Sequence, residues 1–99
     1  MKLVALMALA KDMDCIKRVF QDHHVQIYSE VEITGHTFAT LKQYGWFSKR
    51  DIPTYSSLCF ALVPADVAQV VMDEVEQLQQ ENPSDHPVHG FVIDVEKMI

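Results

Sequence analysis

Stretches with no polar side alternate along this chain with stretches that have one. Leu3 to Leu9 is continuously apolar. In so short a run periodicity does not separate strand from helix. Its length, and its place before a helix start, predict a strand buried on both faces. Asp12 or Asp14 is placed to cap the next element. Cys15, Ile16, Val19 and Phe20 then recur at helical spacing, with Lys17, Arg18, Gln21 and Asp22 facing water. His23-His24 closes that helix, where partial positive charge suits the dipole. Val25 to Ile33 reads as a strand. Val25, Ile27, Val31 and Ile33 share one face, interrupted by Ser29, and Gln26, Tyr28, Glu30 and Glu32 share the other.

Thr34-Gly35 ends that strand, and residues 36–57 show no sustained period. A segment of that length without its own periodicity is typically a functional loop. Leu58 to Val63 is a second strand apolar on both faces, and Pro64 suits the first turn of a helix. Val67, Val70, Val71, Val75 and Leu78 form that helix's stripe, with Asp73, Glu74, Glu76 and Gln77 outside. Residues 82–87 read as a turn, and Val88 to Val95 as the last strand.

The order β-α-β, β-α-β is that of the split βαβ, or ferredoxin-like, α+β fold. It implies one domain over residues 1–99, a four-stranded antiparallel sheet and two helices on one face. The other face is then bare, and strands one and three are apolar there too. Apolar burial returns roughly 25 cal/mol per Å², so the bare side needs a cover. A second copy of the chain is the simplest one, which predicts a homo-oligomer.

Composition narrows the classes. The apolar share of 48% is that of a globular protein. The net charge of −6 argues against binding nucleic acid or anionic lipid. Met1-Lys2 before Leu3 to Ala10 mimics a short secretory signal. The run is at the short limit, and the fold needs it as a strand. No stretch is long enough to span a bilayer. Cys15 and Cys59 both sit among apolar residues and read as buried free thiols, which points to the cytoplasm.

Candidate chemistry is sparse. His36, His86 and His89 fall near one end of such a fold, and imidazoles suit divalent metals. Their spacing forms no metal-binding signature. Lys42, Tyr44, Trp46, Phe47, Lys49 and Arg50 lie in the long segment, and aromatic and Arg side chains favour partner interfaces. Glu30 and Glu32 could be an acid/base pair, though an exposed sheet face explains them better. No nucleophile motif occurs, so no catalytic residue is assigned and no enzyme activity is expected. A ferredoxin-like enzyme subunit would need an apolar cavity between helices and sheet.

Phe91-Val92-Ile93-Asp94-Val95-Glu96-Lys97-Met98-Ile99 resembles the closing strand of nitrogen regulatory P-II signalling proteins, with Asp94 in place of a proline. Met1-Lys2-Leu3-Val4 resembles that family's start. Ser29-Glu30-Val31 through Gly35 resembles its second strand. Leu58 to Val67 resembles its third strand, Val-Pro turn and second helix. The resemblance implies a homotrimer that binds adenine nucleotide in intersubunit clefts, here near Gly35, His36, Thr37, Val63, Pro64, His86, His89 and Gly90. It also implies that residues 36–57 contact a target protein. The chain departs from the family at the phosphate-binding positions. His36-Thr37 stands for an Arg-Gln pair, and His86-Pro87-Val88-His89-Gly90 for a Gly-Asp-Gly-Lys turn. The related CutA-type proteins of metal tolerance share the trimeric fold and supply the alternative, a divalent metal held by His36, His86 and His89.

Overall fold

The computed structural model describes residues 1–34, 56–84 and 87–99. Strand β1 is Lys2–Ala8, helix α1 is Met13–Asp22, β2 is Ser29–Ile33, β3 is Ser56–Val63, α2 is Ala65–Glu81 and β4 is His89–Asp94. A single 3-10 turn, Ala10–Asp12, leads into α1. The strands form one sheet in the order β2-β3-β1-β4, and every neighbouring pair is antiparallel. This is the ferredoxin-like α+β topology expected from the element order.

The most apolar strand, β1, lies between β3 and β4, so both of its edges are paired. Val4, Leu6 and Ala8 point to the helices and join Cys59, Ala61 and Val63 of β3 in the core. The helices contribute Met13, Ile16, Val19 and Phe20 from α1 and Ala68, Val71 and Val75 from α2. Two positions differ from their expected place. Cys15 is exposed, and Met13 takes its place on the buried stripe. Val70 lies about a third of a turn from the centre of the α2 stripe and faces solvent, while Ala68 is buried in its stead.

Val25 to Ile33 is not one strand. The N–H of Val25 donates to the carbonyl of Phe20 at 2.9 Å and that of His24 to the carbonyl of Gln21 at 3.1 Å. This is the paired closure of a Schellman motif, in which the residue before Val25 takes the left-handed conformation. That residue is His24, with φ of 62°. The reversal drives Val25 into the core, where it is 7% exposed, and leaves Ile27 86% exposed. Tyr28 stacks on Phe20, ring centroids 5.3 Å apart. Ladder pairing begins only at Ser29. Ser56 and Ser57, placed by the sequence in the long segment, begin β3 instead. Pro64 is the N-cap of α2 rather than part of its first turn, and its carbonyl accepts from the Ala68 N–H at 3.0 Å.

Candidate functional site: an open sheet face, two sheet ends and a cavity between helix ends

Side chains alternate across a sheet. With Val4, Leu6 and Ala8 in the core, Leu3, Ala5 and Met7 point to the side without helices. The ladder places Leu58, Phe60 and Leu62 beside them, with Phe91 and Ile93 on one flank and Val31 and Ile33 on the other. Val31, Leu62, Phe91 and Ile93 are each 44–47% exposed. Ala5 is 3% exposed even on this side, because Phe60 and Phe91 stand opposite it on the two flanking strands. Ser29 and His89 are polar positions at the rims of this face. The apolar surface therefore runs across all four strands.

The register sorts the expected ligand residues to different places. Val63 pairs with Lys2 at one end of β1, where Lys2 Nζ also contacts Asp94 Oδ1 at 3.1 Å. His89 pairs with Met7, and Gly90 with Leu6, at the other end. Five residues of strand separate Val63 from His89, roughly 17 Å at ~3.4 Å per residue. The end of β2 at Ile33 and the start of β4 at His89 share one end of the sheet, but on opposite edges. Three strand spacings, roughly 14 Å, lie between them. Within one chain the described candidates do not converge.

Val63 is buried with its side chain in the core, and Pro64 is exposed. Gly90 has a packing role: a Cβ there would come within 2.8 Å of Leu6 Cδ2 and 3.2 Å of Met72 Cε. Gly35, His36, Thr37, His86, Lys42, Tyr44, Trp46, Phe47, Lys49 and Arg50 lie outside the described residues. Of the metal trio only His89 is placed, exposed at the start of β4. Among the described residues no three His, Cys, Asp or Glu side chains gather as a metal site.

Glu30 and Glu32 stand opposite Cys59 and Ser57, on the helix side of the edge strand. Glu30 forms an ion pair with Lys17 at 2.5 Å, and that bond raises the Lys17 pKa. Burial pushes the Cys59 thiol up to about 11, so this cysteine is an inert core residue.

A cavity of about 390 Å³ lies where the start of α1 meets the end of α2. Ile16, Val75 and Leu78 line it with apolar surface, and Lys11, Asp12, Cys15, Asn82 and Ser84 stand around it. Gln79 and Val88 close one side. Gln79 Nε2 donates to the Val88 carbonyl at 2.6 Å, and the Val88 N–H donates to Gln79 Oε1 at 2.7 Å. The cavity lies between helix ends and the segment before β4, not between helices and sheet. Sequence reasoning missed it, because its described walls come from residues far apart in the chain, 11–16 on one side and 75–84 with Val88 on the other.

No protein-family model matches the sequence, and comparison with curated proteins also finds no match. Solved structures do match. One is a candidate PII-like signaling protein from Thermus thermophilus, with a TM-score of 0.65 and 17% identity. The match covers 95% of this chain and 85% of that one. A likeness at this identity speaks for architecture, and function must be argued from the site. The chain has the ferredoxin-like fold of that PII-like protein.

Proposed function

We propose that this chain is a non-enzymatic, P-II-like signalling protein that works as a homotrimer in the cytoplasm. Copies cover one another's open sheet faces. A small effector binds at the seams between them, and residues 36–55, the long segment without Ser56 and Ser57 of β3, contact a target protein. The observation that carries this reading is the apolar surface spanning all four strands on the side without helices. Left in water, such a surface costs free energy in proportion to its area.

The placement of the candidate residues supports a seam. The ends of β2 and β4 lie on opposite edges of the sheet, so one chain does not bring them together. Packing faces around a threefold axis sets one copy's edge near another's. An effector there biases how residues 36–55 meet the target, and its differential affinity for the two states is the signal. Among the described residues no helix is long and apolar enough to cross a membrane, and Cys15 and Cys59 are free thiols.

Calorimetric titration with ATP and with ADP tests the effector. Saturable heat at or below millimolar ligand supports an adenine nucleotide. Silence with both removes the nucleotides and leaves the assembly to be judged by its mass.

A further inference from the structure

We infer that the cavity between the start of α1 and the end of α2 binds a small zwitterion with an apolar body, of the class of the apolar α-amino acids. This is a site within one protomer, separate from the seams. Its volume of about 390 Å³ lies in the range of small-molecule pockets. Ile16 and Val75 are buried and Leu78 half-buried, so the interior offers apolar contact. Among the described lining residues one is a cation and one an anion, Lys11 and Asp12. Asp12 holds the N-cap position of α1, yet its carboxylate makes no capping bond. Among the described residues neither charge has an ion-pair partner.

Most of the neighbouring amide groups are already engaged. Gln79 is bound at both ends by Val88, and Asn82 Nδ2 donates to the Leu78 carbonyl. Lys11 and Asp12 are the charged groups among the described lining residues, so they are the groups that the charges of a ligand would meet. An inorganic anion would gain Lys11 but face Asp12. A purely apolar molecule would leave both charges unanswered. A zwitterion answers both, its carboxylate to Lys11 and its ammonium to Asp12, and its side chain takes the interior.

Cys15 lines the same cavity and is exposed, so it reports occupancy. The test follows iodoacetamide alkylation of Cys15 in the full-length protein by mass spectrometry, with leucine, valine, methionine or phenylalanine added. A site with a dissociation constant of about 1 mM gives roughly tenfold slower alkylation at ~10 mM ligand. Isoamylamine and 4-methylpentanoate, which each lack one charge of leucine, protect less than threefold. K11A and D12N lose the leucine protection while keeping the native far-ultraviolet spectrum. Methyl resonances of Ile16 and Val75 shift on titration in the wild type. Unchanged alkylation and unshifted methyls with all four amino acids overturn the inference. So does leucine protection that survives in both variants.

Discussion

Gln79 grips the backbone of Val88 with both ends of its side-chain amide, donating to the carbonyl at 2.6 Å and accepting from the N–H at 2.7 Å. One side chain on α2 thus fixes the segment that leads into β4, at the end of the sheet where β2 also terminates. Both bonds are part-buried. Q79A leaves a backbone donor and acceptor without their partner, at a cost of about 1–3 kcal/mol. Urea unfolding should show the loss, and hydrogen exchange at the Val88 amide should quicken. Unaltered exchange at Val88 would mean that the clasp does not hold the segment.

The two cysteines should behave differently. Cys15 is exposed and should alkylate in the native protein, while Cys59, 0% exposed, should react only on unfolding. The folded Cys59 thiol titrates near 11, above its ordinary 9.0, because burial disfavours the thiolate. Below pH 9 both folded and unfolded thiols keep their proton, and stability is unaffected. Between pH 9 and about 11 the unfolded thiol ionises while the folded one does not, so stability falls as pH rises. The same slope measured in C59A would assign it to other groups.

His24 sits at φ 62°, in the helix-closing position that glycine usually fills. A Cβ in that conformation costs roughly 1 kcal/mol. H24G should stabilise the domain by up to about that amount, raising Tm by ~4–8 °C in a chain of this size. A lowered Tm would show that the imidazole contributes contacts worth more than the backbone strain.

Charge placed on the open face should separate the copies without unfolding the domain. Leu62 and Phe91 point away from the core and are 45% and 44% exposed. L62K and F91K should keep the wild-type far-ultraviolet spectrum and sediment as protomers. Variants that stay associated would locate the contact elsewhere.

Much of the fold was legible in the sequence because its strongest signals are long and local. Strands β1 and β3 are apolar on both faces, and that pattern also foretold the open side. Helix α2 shows its period clearly, although Val70 and Ala68 exchange roles, since a stripe's centre depends on the sheet it packs on. The start of β2 was misread because a left-handed His24 rotates Val25 into the core, and histidine gives no glycine-like warning. Cys15 was misread because its apolar neighbours Met13 and Ile16 are both buried, and it is Met13 that shares the buried stripe. The candidate site was less legible. Alternation put Val63 in the core, and the ladder put His89 at the opposite end of the sheet. The cavity depends on a contact between Gln79 and Val88 that no local period encodes.

Sedimentation equilibrium of the intact protein at micromolar concentration tests the central claim most directly, that copies bury the apolar sheet face against one another. A single species of three times the 11.3 kDa chain mass is the result expected. A folded species of 11.3 kDa that persists as concentration rises would contradict it.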